Sequence, residues 1–233
     1  MKVAIMQPYF FPYIGYFQLM NAVDKFILFD DVSFINRGWI NRNKILINKE
    51  PFLFSVPLES ASQNRKIREI KVSNDPRWRN KFLKTLEQSY KSAPYFERTY
   101  SLVKDILNSS SDYLKDWILK SFSLIKQELD LPVRLIESSE IYNNAELKGA
   151  ERILDIVKTE RAEFYVNPIG GKVLYSQDEF VKNGITLLFL RTKDFSYKQF
   201  GDTFIPNLSF IDVLMFNSNS EIRSLLNLYD LIE

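Results

Sequence analysis

The chain has 233 residues and contains neither cysteine nor histidine. These two absences exclude disulfide bonds, thiolate nucleophiles, imidazole bases and the usual ligands of zinc. Any catalysis must therefore use carboxylates, lysine, tyrosine, hydroxyl groups, amides or the substrate itself. The lack of cysteine also favours a reducing compartment, so we expect a cytoplasmic protein.

A strong charge of one sign and a long apolar run are also missing. The formal net charge is +2, whereas a general nucleic-acid binder carries a strongly basic field, so we expect no DNA partner. No run approaches the roughly 18 apolar residues that a membrane span needs, and we expect no membrane insertion. Met1-Lys2 leads straight into a strand-like run, which predicts no signal peptide. The sequence leaves the oligomeric state open.

Aromatic residues are abundant instead, since 19 Phe, 12 Tyr and 3 Trp stand against 7 Gly. Such side chains bury large areas and keep few rotamers, so they favour broad apolar or stacking surfaces. With 45% hydrophobic and 26% charged residues, the composition is that of a globular protein with a packed core.

The chain opens with a pattern typical of a parallel sheet. A short apolar run over residues 3–6 is followed by helical spacing over residues 15–23 and by a second buried strand over residues 25–29. This β-loop-α-β order predicts parallel pairing. Residues 52–56 and 69–72 predict further strands, which we expect to form an antiparallel insertion around a polar loop.

A helical block then interrupts the α/β alternation. Asn74-Asp75-Pro76 combines a capping side chain with a proline in the first turn, which predicts a helix start. Two more helices are predicted from Pro94 and from about Ser111, so the helical insertion covers about residues 74–130. The alternation resumes with predicted strands over residues 133–136, 163–166 and 185–190 and predicted helices over residues 145–157, 177–182, 210–216 and 221–228. We therefore predict one α/β domain over residues 1–233, with a mostly parallel, Rossmann-like sheet.

The most informative segment is MQPYFFPYIGYF, residues 6–17, where the first strand ends and a helix begins. Ligands of open α/β sheets bind at the carboxyl ends of strands, which makes Gln7, Pro8, Tyr9, Gly15 and Tyr16 candidate site residues. The alternative is an aromatic plug that packs over the sheet. That alternative fits Gln7 poorly, because a polar amide beside a strand end needs hydrogen-bond partners.

Several segments together resemble the WbqC-like family. They are residues 6–17, FILFDDVSF at 26–34, GWINRNKI at 38–45, SSEI at 138–141, NPIGGKVLY at 167–175, YKQF at 197–200 and FIPNLSFIDVLMFN at 204–217. The order is right and both ends are covered, so the resemblance is full-length, with the helical middle matching least. Many relatives have a histidine before Gln7 where this chain has Met6, so that histidine has no general role.

The resemblance implies a function in surface polysaccharide synthesis. The family is associated with O-antigen and related gene clusters, and some members are labelled glycine transferases. This implies transfer of an N-acyl or aminoacyl group, glycyl in the labelled members, to the amine of a nucleotide-linked amino sugar. An activated acyl or aminoacyl donor would be the second substrate.

Asp30 and Asp31 directly follow the second strand, and with Gln7 they are the catalytic candidates. Adjacent strand positions point opposite ways, so we expect one of the two carboxylates to face the ligand. A carboxylate whose pKa is raised could accept a proton from an attacking ammonium. Three alternatives remain open for Asp30 and Asp31. Either carboxylate could bind magnesium, accept a hydrogen bond from a ribose hydroxyl, or simply cap the backbone.

The next group of candidate substrate-binding residues combines cationic side chains, an aromatic ring and side-chain amides. Guanidinium forks match phosphate oxygens, and a tryptophan can stack on a base or a sugar. Surface charge around a buried tryptophan is the alternative. The candidates are Arg37, Trp39, Asn41, Arg42 and Asn43.

Later in the chain, Gly170 and Gly171 let the backbone approach an anion, and Lys172 supplies a countercharge. The spacing is neither that of the P-loop nor that of the dinucleotide fingerprint, so a tight turn is the alternative. Tyr175 ends the same segment. The remaining substrate-binding candidates are Gln199 and Asp212, and a carboxylate in the apolar run around Asp212 is either salt-bridged or directed at a site.

Basic residues gather between Arg65 and Lys84, with Trp78 among them. They are a candidate surface for RNA if the acyl donor is a charged tRNA, and a solvated helix face is the alternative. The strand, Gln-Pro loop and helix start at Gly15-Tyr16 also resemble the nucleotidyltransferase-like fold. Both histidines of its H-x-G-H motif are missing, which leaves phosphate binding at the helix N-terminus as the shared feature.

Three functions therefore remain as hypotheses. The first is the sugar N-acyl or aminoacyl transferase. The second is a nucleotidyltransferase-like enzyme that uses a nucleoside triphosphate and magnesium. The third is a non-catalytic protein that binds a nucleotide sugar.

Overall fold

The N-terminal third of the protein alternates strands with one helix and then forms two small antiparallel pairs. The structure is a computed structural model that describes residues 1–73 and 75–233. Its first elements are β1 (Lys2–Met6), α1 (Ile14–Ala22), β2 (Lys25–Leu28), β3 (Arg42–Ile47), β4 (Glu50–Ser55), β5 (Leu58–Glu59) and β6 (Lys71–Val72). β1 pairs in parallel with β2, while β3 pairs with β4 and β5 with β6 in antiparallel fashion.

The antiparallel insertion differs in pairing from the expectation. The two predicted strands do not pair with each other, because each has a partner that the sequence did not reveal. β3 begins inside the polar GWINRNKI segment, whose mixture of charges and amides hides its strand character. Asn48 and Lys49 both have positive φ, 51° and 65°, which is the geometry of a tight two-residue hairpin turn.

Three helices occupy the predicted insertion, namely α2 (Pro76–Tyr90), α3 (Phe96–Leu107) and α4 (Leu114–Glu128). Asp75 caps α2, since its carboxylate accepts a hydrogen bond from the Arg77 backbone N–H at 2.9 Å. The predicted helix start also included Asn74, which lies outside the described residues. The apolar faces of all three helices pack into the core that surrounds α1.

The last part of the chain returns to the sheet. It contains β7 (Arg134–Ile136), α5 (Gly149–Thr159), β8 (Phe164–Pro168), α6 (Gln177–Lys182), β9 (Thr186–Thr192), α7 (Phe210–Phe216), α8 (Asn219–Leu226) and β10 (Tyr229–Ile232). α5 begins four residues later than predicted, because a turn closed by Leu147 N–H on the Asn144 carbonyl precedes it. The predicted last helix reached residue 228, but α8 ends at Leu226, and β10 begins at Tyr229 and pairs antiparallel to β9.

Six strands form the central sheet in the order β10-β9-β8-β1-β2-β7. All neighbouring pairs from β9 to β7 are parallel, and β10 is the antiparallel edge strand. In chain order these strands follow the 3-2-1-4-5-6 arrangement of Rossmann folds, with the reversal between β1 and β8. The predicted α/β class with a mostly parallel, Rossmann-like sheet is therefore confirmed.

Helices cover both faces of this sheet. α1, α2 to α4, α7 and α8 lie over one face, where rings such as Phe17 and Phe210 approach to 4.1 Å between centroids. α5 and α6 cover the other face through residues such as Val157 and Phe180. Among the helices of residues 1–73 and 75–233, none combines the length and the apolar character needed to cross a membrane.

The register of the sheet places four sequence segments at one edge. Met6 lies opposite Leu28, Ile27 lies opposite Ile136, and β1 continues in register with β8. The segments that follow β1, β2, β7 and β8 therefore leave the sheet at the same carboxyl edge. This edge carries the candidate site.

Gln18 joins α1 to the C-terminal part of the sheet. The side chain is fully buried, and its amide donates to the carbonyls of Leu225 and Leu228 at 2.9 Å and 3.1 Å. Its oxygen accepts from the Thr192 hydroxyl at 2.7 Å. Every polar group of this buried amide is thus used to hold α8 and β9 against α1.

We predict that Gln18→Met lowers the free energy of unfolding by about 2 kcal/mol, because it removes the three hydrogen bonds of a fully buried amide, two to part-buried carbonyls and one from the Thr192 hydroxyl. Urea unfolding measures the change. Gln127→Met is the matched control, since Gln127 is exposed on α4. Equal stability of the two variants would contradict the structural role of Gln18.

Candidate functional site

Three distant segments meet after β1, and one carbonyl group ties them together. The Phe11 carbonyl accepts hydrogen bonds from the Asn43 amide at 2.7 Å and from the Ser209 hydroxyl at 2.9 Å. The Phe210 N–H donates to the Pro12 carbonyl at 2.8 Å. Phe11 has φ of 45°, a left-handed conformation that is unfavourable for a bulky residue and that these contacts hold in place.

These segments enclose a cavity of about 270 Å³ at the carboxyl end of β1, which we call the aromatic slot. Trp39 is 48% exposed, and among the described residues no ring contact joins it to Tyr9 or Tyr13. The rings therefore face shared space and do not fill it. The slot is lined by Tyr9, Pro12, Tyr13, Trp39, Asn43, Lys44 and Asn207.

Cations stand beside the slot. The Arg42 guanidinium lies 5.6 Å from the centre of the Trp39 ring, and its Nε donates to the Gly38 carbonyl at 2.7 Å. Lys44 lines the slot with an exposed side chain. An aromatic face next to two cations suits a planar group that carries phosphate.

The other members of the predicted Arg-Trp-Asn cluster serve the backbone or face solvent. The Asn41 amide donates to the Val56 carbonyl at 2.8 Å, and Asn43 holds the Phe11 carbonyl as described. Arg37 is exposed and has φ of 58°. Trp39 and Asn43 therefore line the slot and Arg42 lies beside it, while the binding roles of all five residues stay predictions.

The loop that follows β1 begins with residues that pack in the core and with Gln7, whose side-chain amide forms no hydrogen bond among the described residues. Pro8 is buried, and the Tyr16 hydroxyl donates to the Gln7 carbonyl at 2.6 Å. Burial raises the pKa of Tyr16 well above its ordinary value, so it remains a neutral donor. A side chain on Gly15 would overlap the Tyr13 ring in its present position. Among the described residues, none forms a hydrogen bond with the side-chain amide of Gln7, whose role stays a prediction.

The two aspartates after β2 pair with two serines after the neighbouring β7. The Ser138 hydroxyl donates to Asp30 at 2.7 Å, and the Ser139 hydroxyl donates to Asp31. Asp30 also faces the Lys115 ammonium at 3.6 Å, while Asp31 accepts from Arg152 at 2.5 Å. The carboxylates thus take different cations, as expected for adjacent strand positions.

Asp31 behaves as an anchor for Arg152. Burial alone would raise the pKa of Asp31, but hydrogen bonds from Ser139 and Arg152 and the nearby positive charges hold it below its ordinary value. A lowered pKa weakens a general base. Asp30 is fully enclosed. The catalytic roles of both residues remain predictions.

The glycine-rich segment after β8 packs against β8 and β9. A side chain on Gly171 would overlap the Asn167 amide, which donates to the Tyr165 hydroxyl at 2.7 Å. The Tyr165 and Tyr175 hydroxyls are 3.3 Å apart. The segment leaves the sheet at the carboxyl edge, as expected. Its residues are not among those that line the aromatic slot.

Lys172 and Gly170 have different surroundings. The Lys172 ammonium binds the Glu233 carbonyl at 2.8 Å and lies 5.5 Å from the Phe189 ring, so it turns towards the C-terminus. A side chain on Gly170 would meet open space. Anion binding by Gly170, Gly171 and Lys172, and a substrate contact by Tyr175, stay predictions.

Asp212 and Gln199 form a buried network under the slot segments. The Asp212 carboxylate accepts from Tyr90 at 2.8 Å, from Tyr197 at 2.7 Å and from Gln199 at 2.8 Å. Burial raises the pKa of Asp212, and the three hydrogen bonds oppose that rise in part. Tyr90 also accepts from the Leu46 N–H at 2.7 Å, so the network joins α2, α7 and β3. These contacts are structural, and substrate binding by either residue is untested.

Two other expectations concern metal and RNA. Among residues 1–73 and 75–233, no group of three or more acidic side chains is arranged to hold a metal ion. In the basic run, Trp78 stacks on Phe82 at 5.1 Å, and the Arg79 guanidinium lies 4.6 Å from the Trp117 ring. These two side chains are thus engaged in packing, and RNA binding by the others stays a prediction.

The sequence did not reveal the residues that surround Asp31. Arg152 is 4% exposed, and it lies one turn before the buried Ile156 on α5. An arginine in phase with a buried apolar face is the signal that could have identified it. Lys66 and Lys148, which lie near it, carry no such signal.

Comparison with known proteins gives a family and one relative. The family model described as "WbqC-like protein family" matches residues 7–224, which include every segment of the slot. A protein of Mycobacterium tuberculosis (strain ATCC 25618 / H37Rv) named "Uncharacterized protein Rv1507c" is 28% identical over 223 residues, 94% of this chain and 95% of that protein. No solved structure matches the chain.

We predict that Asp31→Asn destabilises the protein by about 3 kcal/mol at neutral pH, because the buried Arg152 loses its countercharge. A lowered folded-state pKa stabilises the fold above the ordinary value of 3.8, and this stabilisation is lost as pH falls through the folded pKa. The difference between wild type and variant should therefore shrink in acid. Unfolding curves against pH test this, with exposed Asp202→Asn as control, and a difference independent of pH would contradict it.

Proposed function

The chain belongs to the WbqC-like protein family, and we propose that it binds a nucleotide-linked amino sugar in the aromatic slot and transfers an N-acyl or aminoacyl group, such as glycyl, to the sugar amine. The reaction would serve surface polysaccharide (O-antigen) synthesis in the cytoplasm. The observation that carries the proposal is the slot itself, with Trp39 half-exposed beside Arg42 at the carboxyl edge of a Rossmann-like sheet.

The slot suits a nucleobase for physical reasons. Base stacking on an aromatic side chain contributes about 1–3 kcal/mol and tolerates different bases. Trp39 and Tyr9 line the same space from different segments, so both rings are available to a base that enters it. Arg42 and Lys44 then supply positive charge for the diphosphate that links base and sugar.

The proposed transfer needs no imidazole. The sugar amine attacks the activated carbonyl, a carbon–nitrogen bond forms, and the bond from the carbonyl carbon to the donor's leaving group breaks. The proton of the amine passes to the leaving group, since Asp31 is bound to Arg152 and Asp30 is enclosed. An activated acyl compound and a charged tRNA both remain as donors, and magnesium is left open as a companion of the diphosphate.

One observation favours the second candidate, a nucleotide-sugar binder without catalysis. Both aspartates at the sheet edge are already hydrogen-bonded by serines and paired with cations. A protein that only holds or delivers the sugar needs the slot but no proton acceptor. Binding and turnover must therefore be measured separately.

We predict that Trp39→Ala weakens binding of uridine- and thymidine-diphosphate-linked amino sugars about tenfold, because stacking is lost. Trp39→Phe, the matched control, keeps an aromatic face and should retain most of the affinity. Isothermal titration calorimetry gives the dissociation constants. Equal affinities of the alanine variant and the wild type would exclude the slot as the base site.

Turnover is tested on the wild-type protein with the sugar that binds best. Mass spectrometry follows the sugar after incubation with acyl-coenzyme A, aminoacyl adenylate or charged tRNA. A mass gain equal to one acyl group supports the transferase. Tight binding with no gain from any donor supports the binder, and lack of binding by every nucleotide sugar contradicts both.

A further inference from the structure

A second cavity lies at the same edge of the sheet but on the face covered by α5. It has a volume of about 380 Å³, within the range of small-molecule sites. We call it the basic cavity. Its lining residues come from three regions, namely the segment after β2, the segment around Lys66, and the segment from residue 145 into the first turn of α5.

Arg152 is held rigidly in the wall of this cavity. Its Nη2 donates to Asp31 at 2.5 Å, its Nε donates to the Asn144 side chain at 3.0 Å, and its guanidinium lies 4.8 Å from the Phe29 ring. No hydrogen bond between described residues uses its Nη1. A guanidinium that is fixed through Nε and Nη2, with Nη1 left without a hydrogen bond, loses little entropy when it binds an anion.

The charges around the cavity are unbalanced. Lys66, Lys148 and Arg152 line it against one carboxylate, Asp31. Among the ion pairs of the described residues, Arg152 alone of these three cations has a carboxylate partner. Gly149 lines the cavity from the first turn of α5. The backbone N–H groups of this turn carry a partial positive charge, which adds to that of the three side chains.

We propose that the basic cavity binds a phosphate or diphosphate group. The cavity presents two ammonium groups and one pre-oriented guanidinium, the donors that recognise phosphate oxygens. Apolar walls from Phe29, Val32 and Leu147 lower the local dielectric and strengthen these contacts. The basic cavity has no lining residue in common with the aromatic slot, and phosphate binding there does not require a transferase reaction.

The position of the cavity gives two sources for this phosphate. The Phe29 N–H donates to the Met6 carbonyl at 2.8 Å, so the wall of the basic cavity adjoins the residue before the slot loop. The phosphate could belong to the nucleotide sugar whose base lies in the slot. It could equally belong to a separate phosphorylated donor.

Inorganic pyrophosphate tests phosphate binding directly, because it is neither a nucleotide sugar nor a phosphorylated donor. We expect wild-type protein to bind it, with an affinity that falls as salt is added. The double variant Lys66→Ala/Lys148→Ala should bind about tenfold more weakly, while Lys104→Ala/Lys182→Ala, which removes two exposed lysines elsewhere, should bind like wild type. Both ammonium groups are replaced because changing Arg152 would leave Asp31 buried without its partner.

Isothermal titration calorimetry decides the outcome, with circular dichroism and melting curves to show that all variants fold. Failure of the wild type to bind at millimolar concentrations, or equal affinities of the two double variants, would overturn the proposal. Affinity for a uridine-diphosphate amino sugar identifies the source. A parallel loss in the Lys66/Lys148 variant assigns the phosphate to the nucleotide sugar, and an unchanged value assigns it to a separate ligand.

Discussion

Parallel pairing in register is the constraint on which the rest of the molecule depends. β1 lies between β2 and β8, and Met6 is level with Leu28. Backbone hydrogen bonds fix this alignment, so the segments after these strands must emerge at one edge. Residues far apart in the chain thereby become neighbours. Both cavities exist because several strand ends stop at the same level.

The aspartates after β2 divide this edge into two environments. Alternation along an extended chain sends Asp30 towards Lys115 and Asp31 towards Arg152. Ser138 and Ser139, in the segment after the neighbouring β7, bind one carboxylate each. A single dipeptide thus distributes charge to opposite faces of the sheet. These hydrogen bonds between the segments after β2 and β7 also help to hold β7, a short edge strand, on the sheet.

The sequence predicted the fold well where local pattern and tertiary environment agree. Apolar runs and helical spacing identified the core strands and most helices. β3, β5 and β10 were missed, because their strand character comes from partners and not from apolar alternation. The same limit applies to the site. The slot segments are unusual in composition and supplied Tyr9, Trp39 and Asn43 as candidates, but not the other lining residues. Lys66 and Lys148 become significant only when the fold sets them around Arg152. The Lys172 side chain points towards Glu233, and no local sequence pattern predicts that contact.

The shared carbonyl of Phe11 has a mechanical consequence for the slot. Because Asn43 and Ser209 both bind it, the two walls that they belong to are fastened to the same strained peptide. Neither wall can retreat without breaking a buried hydrogen bond and leaving Phe11 in an unfavourable conformation. The backbone around the slot is therefore held at a set spacing, and we expect a guest to enter a largely preformed opening.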